Sequence, residues 1–336
     1  MVLHLTGDQA SDVSGDFDIV ATYCDPDDGP GKVLQILTHG LSFDRSYWDY
    51  PAQNGKYSYV VQAVDNHGYS TLAYDRLGVG ESSKGDSITQ LQMGLEVATL
   101  HRLTVLASSG HIPGISQGFS DIVHVGHLLS SSVTYNFANQ YPGLTKGIVL
   151  TGFSQIPSFA AYFAIGGQFV PVTQIPSAAV RYPPGYLSVG AVGGLHTNFF
   201  APGDFDPDIL EYAFAHGQPS TPGELITIED GTDVVSNFSG PVYIITGGES
   251  FRSRLIVERQ IDRNAERDIP FCGGNCYGTQ VINGTAPDLL VASQRFFPEA
   301  SQLNTTVLPA AGHGLNLAYK FQMTYDLIFR FLQSAI

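Results

Sequence analysis

Positive charge is scarce in this chain. Its 336 residues carry 16 Lys and Arg against 31 Asp and Glu, a formal charge of -15. Nucleic acids and anionic membrane surfaces are held by clustered cations, so neither is an expected partner. Long apolar runs are missing too: none approaches the roughly 20 residues that span a bilayer. The N-terminus also lacks the basic-then-apolar pattern of a secretory signal. The expectation is a chain with no membrane span, either cytoplasmic or already processed on a secretory route. Cysteine is sparse. Cys272 and Cys276 are close enough to bridge a small loop, Cys24 has no evident partner, and Asn275 and Tyr277 do not complete a zinc set. A disulfide is expected there, with no metal and no cofactor. Together with sequons at Asn237, Asn283 and Asn304, it points toward the secretory route.

With 43% hydrophobic and only 14% charged residues, the chain can bury a substantial core, as one large domain or two small ones. Apolar, β-prone stretches recur at Phe17 to Tyr23, Val33 to Thr38, Ser70 to Tyr74, Ile122 to Val125, Gly147 to Thr151, Pro241 to Thr246 and Thr305 to Pro309. Helical spacing runs from Leu91 to Leu106, from Gly126 to about Gln140, and from Leu317 to Leu332. Strand, helix and strand in alternation imply right-handed crossovers in a parallel sheet. Between Gly152 and Gly240 the pattern changes to a long stretch rich in Phe, Tyr, Gly and Pro. Ordinary connections are a handful of residues, so this stretch is an inserted cap. Its aromatic surplus either packs the cap on the sheet or walls an apolar pocket for a bulky or aromatic ligand.

The chain is organised around Asp121-Ile122-Val123-His124-Val125-Gly126-His127-Leu128-Leu129-Ser130-Ser131, a buried strand that turns sharply into a helix. This stretch resembles the nucleophile elbow of the α/β-hydrolase fold family, which reads Gly-His-Ser-x-Gly-Ser. Gly126 and His127 match, Leu128 occupies the place of the serine, and Ser130 that of the second glycine. Gly114-Ile115-Ser116-Gln117-Gly118 satisfies the Gly-x-Ser-x-Gly pattern, but it precedes a strand instead of following one, and reads as a loop. Ser130 lies about 200° around the helix from Leu128, pointing elsewhere, and reads as a small residue at a close packing contact.

The resemblance extends along the chain. Thr38-His39-Gly40-Leu41-Ser42 resembles the family's His-Gly loop, which implies oxyanion donors at the backbone N–H groups of Leu41 and Leu129. Asp75-Arg76-Leu77-Gly78-Val79-Gly80-Glu81-Ser82 resembles the Asp-Arg-x-Gly-x-Gly-x-Ser loop, where Asp75 and Arg76 are read as braces. Gly312-His313-Gly314, before the terminal helix, resembles the setting of the catalytic histidine. Its acid is Asp268 or Glu249. Ser250 to Arg267 holds five of the sixteen Lys and Arg residues and reads as an insertion, either a surface helix or a retained intron. Cutting it out would join Gly247-Gly248 to Asp268-Ile269-Pro270-Phe271-Cys272, as in the secreted, fungal-type esterase and lipase branch, which favours Asp268.

The resemblance implies a mostly parallel sheet flanked by helices, with core residues 1–152 and 241–336 around a cap at 153–240. A complete triad would hydrolyse esters through an acyl-enzyme. Leu128 cannot attack. The site then serves acid–base chemistry by His313 and Asp268 (isomerisation, elimination, lactonisation or cyclisation) on a small apolar or aromatic, ester-like or polyketide-like compound. The alternatives are hydrolysis by a displaced serine or an activated water, and a binding protein or decayed hydrolase without catalysis.

Overall fold

The computed structural model describes residues 13, 15–115, 117–156, 159–248, 268–282, 284 and 286–336. In it the β-prone runs become one seven-stranded sheet in the order β1-β3-β2-β4-β5-β8-β9. The strands are β1 Ala21–Cys24, β2 Val33–Thr38, β3 Ser70–Tyr74, β4 Asp121–His127, β5 Gly147–Thr151, β8 Val242–Gly248 and β9 Leu303–Pro309, while β6 Phe169–Pro171 and β7 Leu187–Val189 form a separate pair. Within the large sheet β1 alone runs antiparallel to its neighbour, and every other pairing is parallel.

A parallel sheet covered on both faces should bury alternate residues in opposite directions. In β8, Tyr243 and Ile245 join one apolar cluster while Val242 and Ile244 join another. β5 does the same, with Val149 on one side and Ile148 and Leu150 on the other. The terminal helix, Phe321–Ala335, lays Tyr325 and Phe329 against Tyr59, and Tyr325 donates a hydrogen bond to Tyr57 O at 2.7 Å.

Several boundaries differ from the sequence reading for identifiable reasons. The first strand is confined to Ala21–Cys24, because Asp18 and Val20 instead bond to the hydroxyls of Ser83 and Ser82 in the glycine-rich loop. The terminal helix begins at Phe321, and Leu315–Leu317 before it is a short 3-10 turn. The helix before the elbow strand spans Met93–Ser108.

Between β5 and β8 lie helices Ala160–Gly166, Val192–Phe199, Pro207–Ala215 and Pro222–Thr227. Their aromatic residues largely fill space against the core: Phe199 meets Phe43 edge-on at 4.9 Å and Phe163 at 5.9 Å. Arg76 ties this segment down. Buried at the end of β3, it pairs with Glu224 of the Pro222–Thr227 helix and with Glu96 of the Met93–Ser108 helix at 3.3 Å. Asp75 accepts the Arg45 and Glu81 N–H groups at 2.9 and 3.0 Å, so both residues act as braces.

Candidate functional site

Parallel pairing puts the strand C-termini at one edge of the sheet. Thr38 is level with Gly126, His127 with Thr151, and Thr151 with Ile245. The loops that follow therefore converge: His39-Gly40 from β2, the elbow from β4, Gly152 from β5, Thr246 near the end of β8, and His313 just beyond β9. Crevices at this edge are where open α/β sheets bind ligands.

The elbow is a strained turn. Leu128 has φ 55° and ψ -121°, conformations that a branched side chain avoids, and it is fully buried. Gly126 makes the turn possible, since a Cβ there would lie 2.2 Å from Ser130 O. The helix Leu129–Gln140 starts immediately after Leu128. Among the described residues, neither the Leu41 nor the Leu129 backbone N–H makes a hydrogen bond. A Cβ on Gly40 would lie 3.0 Å from both Leu128 Cβ and His127 Cδ2, which places the His-Gly loop directly against the elbow.

His313 is fully buried, and its Nδ1 donates to Asp268 Oδ2 at 3.1 Å. Asp268 is itself buried and held on three sides: it also accepts from Thr246 Oγ1 on Oδ2 and from the Phe271 N–H at 2.9 Å on Oδ1. Among the described residues the Nε2 of His313 has no partner. Phe199 O accepts the Gly314 N–H at 2.8 Å and would lie 2.5 Å from a Cβ on Gly312, so the segment between β5 and β8 clamps the histidine loop. Glu249, the other candidate acid, lies outside the described residues, as do Ser116, residues 250–267, and Asn283 and Thr285 of the second sequon.

The nearby hydroxyls are mostly committed. Ser130 donates to His39 O at 2.6 Å, and Ser131 contacts Thr151 O at 2.8 Å and Gly126 O at 3.0 Å. Ser42 of the His-Gly loop, Thr134 and Ser132 are exceptions, buried hydroxyls without a partner among the described residues; Ser132 lies one helical turn beyond Leu128. It lines a cavity of about 20 Å³, room for one water, with Leu128, Ile156, Phe163, Ile228 and Phe271 among the other walls. Phe271 also faces His313 at 5.9 Å between ring centroids. A larger hollow of about 710 Å³, lined by Phe17, Tyr23 and Leu106, contains none of the expected site residues.

Three imidazoles surround the elbow. Burial and the neighbouring Arg76 push His39 well below its ordinary pKa; its Nδ1 faces Gly40 O at 2.8 Å and its Nε2 accepts the Arg76 N–H. His127 is likewise pushed far down by burial and by His313, so it is neutral. It stacks on Tyr47 at 4.5 Å and stands 4.9 Å from the His313 ring. The sequence reading used His127 only to align the elbow and passed over Thr151, Thr246 and Gly152. A glycine directly after a core strand was the available signal, because a Cβ there would lie 2.7 Å from His313 Cε1 and 2.9 Å from His127 Cε1.

Cys272 and Cys276 form a disulfide in the segment that follows Asp268, and Cys24 is unpaired. Among the described residues there is no group of three or more His, Cys, Asp and Glu placed to hold a metal ion, and no helix long and apolar enough to cross a membrane.

No protein-family model and no curated protein matches this sequence. Solved structures do. The chain is similar to a thermophilic esterase from Thermogutta terrifontis with malate bound (TM-score 0.58, 14% identity, 94% of each chain covered). It is also similar to a probable hydrolytic enzyme from Pseudomonas aeruginosa PAO1 (0.59, 12% identity, 96% of this chain and 92% of that one). A monoacylglycerol lipase from Paleococcus ferrophilus aligns over 95% of this chain and 100% of that one at 14% identity and TM-score 0.53. At such identities the likeness establishes the fold: the chain has the α/β-hydrolase fold, and its structural neighbours are enzymes of that superfamily.

Proposed function

We propose that this protein has exchanged serine ester hydrolysis for acid–base chemistry on a small apolar or aromatic, ester-like or polyketide-like compound. In this reading, His313 moves the proton and Asp268 orients it. The Leu41 and Leu129 N–H groups stabilise a developing oxyanion, and Leu128 supplies apolar wall where the fold ordinarily mounts its nucleophile. Residues 153–240 act as the cap over that compound. A positioned base is worth about 10²–10⁴ in rate, enough for isomerisation, elimination, lactonisation or cyclisation of a reactive substrate. The observation that carries the reading is the buried His313–Asp268 pair with a free Nε2 and no hydroxyl bonded to it.

Hydrolysis by a displaced serine fits less well, since Ser130 and Ser131 are bonded to backbone carbonyls and Ser132 has no base bonded to it. One observation favours a second reading, a binding protein without turnover: the cavity beside Leu128 is only about 20 Å³, little room for a reacting substrate. The two separate cleanly. Mass spectrometry of small molecules that co-purify with the protein identifies the compound, which is then incubated with the native protein and with His313→Ala. Turnover falling by about 10²–10⁴ with binding retained is the expected result. An unchanged product profile would leave only the binding role.

A further inference from the structure

The imidazole of His127 has no assigned task, and its tautomer can be worked out from its neighbours. Its Nδ1 lies 3.1 Å from Thr151 Oγ1, and that hydroxyl lies 2.9 Å from Gly126 O. The Thr151 hydroxyl donates to that carbonyl, so Thr151 Oγ1 has spent its proton and accepts from His127 Nδ1–H. A neutral imidazole carries one such proton, so His127 Nε2 is a bare lone pair.

The His313 ring stands beside that of His127, with its Nδ1 bonded to Asp268. Both Nε2 atoms are buried and have no partner among the described residues. The His127 ring turns Cε1 toward Gly152 and Cδ2 toward Gly40. Nε2 is bonded to both carbons, so it points between those glycines, near Leu128 Cβ and the His313 ring. A buried acceptor with no donor costs about 1–3 kcal/mol. A ligand that brings one O–H to His127 Nε2 removes that cost.

We propose that His127 is a ligand-contacting residue of this site: its Nε2, beside the His313 ring, receives a hydrogen bond from the O–H of an alcohol or phenol. This rests on the proposed role of His313 and narrows the ligand to one that presents a hydroxyl beside its apolar body.

The test uses phenol and toluene, rings of matched size that differ by one donor. Calorimetric titration is run on the native protein and on Leu128→Ala, whose shortened side chain leaves room for a ring. Phenol is expected to bind at least about tenfold more tightly than toluene, a difference of about 1.4 kcal/mol. In His127→Phe the preference should vanish while toluene binding persists. Thr151→Val keeps the ring but frees its tautomer, and should also weaken the preference if His127→Phe does not fold. A phenol preference that survives in both variants, or toluene binding as well as phenol in the native protein, would overturn the inference while leaving the capped pocket intact. Binding of neither ring by the native protein or by Leu128→Ala would overturn it together with the ligand-binding reading.

Discussion

Returning a serine to the elbow asks whether the rest of the hydrolytic apparatus is still in register. Leu128→Ser places a hydroxyl on a residue already held at φ 55° and ψ -121°, the strained turn that presents a nucleophile in this fold. Among the described residues His313 Nε2 and the Leu41 and Leu129 N–H groups have no partners, and Asp268 holds the other His313 nitrogen at 3.1 Å. Loss of the serine from a working triad costs on the order of 10⁶ in turnover. Allowing for a pocket unsuited to the test ester, we expect recovery of about 10³, or roughly 4 kcal/mol of barrier. The substitution also removes a fully buried leucine, a change that costs about 2–5 kcal/mol of stability. Leu128→Ala is the matched control, with much the same cavity and no oxygen. Hydrolysis of 4-nitrophenyl acetate is followed in both variants after circular dichroism confirms that they fold. Leu128→Ser should exceed Leu128→Ala by about 10³ and fall back when combined with His313→Ala. If the two single variants are equally inactive, His313 and the elbow are not aligned as a triad requires.

Three further outcomes follow from the geometry. Gly152→Ala places a methyl against both imidazoles at a residue with φ +55°, and should cost upwards of about 2 kcal/mol in urea unfolding. Gly94→Ala, on an open helical surface, should instead stabilise by about 0.5–1 kcal/mol. Arg76→Met leaves Glu224 buried without its cation and should cost about 3–5 kcal/mol, partly recovered by adding Glu224→Gln. Burial, opposed by Arg76 and reinforced by Glu224, pushes Glu96 up from 4.5 to about 8. The folded state therefore holds a proton that the unfolded chain has released, so stability from this group is full below pH 4.5 and is lost as pH rises to about 8. Glu96→Gln should flatten that decline in unfolding curves measured between those limits.

The sheet was legible because its strands are buried on both faces: runs such as Ile148-Val149-Leu150 and Ile244-Ile245 have no other home than a parallel core. The elbow was legible from Gly126, since only a residue without a side chain permits the helix to approach so closely. The first strand and the last helix were misjudged at their ends. There the outcome turns on single distant partners, such as the Ser82 and Ser83 hydroxyls that take Val20 and Asp18, and local pattern carries no trace of them. The buried contact of Arg76 with Glu224, 148 residues away, is of the same kind.

The site shows a sharper division. Periodicity and motif order put His313 just beyond the last strand, at the edge where the strand C-termini meet, but said nothing about the partners of its nitrogens. That partnership depends on Asp268, Thr246 and the Phe271 N–H, three elements that meet only on folding. It is also where the physical argument for function is strongest. A turn of this geometry costs about 1–3 kcal/mol with a branched residue. Leu128 bears that strain, and beside it two imidazoles have buried Nε2 atoms without partners among the described residues. A protein that kept the elbow only as a relic would gain stability by relaxing the turn or by replacing His127 with an apolar ring stacked on Tyr47. Measuring whether His127→Phe raises stability therefore discriminates: a gain of about 1–3 kcal/mol is the signature of an acceptor held ready for a ligand at the expense of the empty fold. No gain would mean that the nitrogen is already satisfied and the pocket has no demand for a donor.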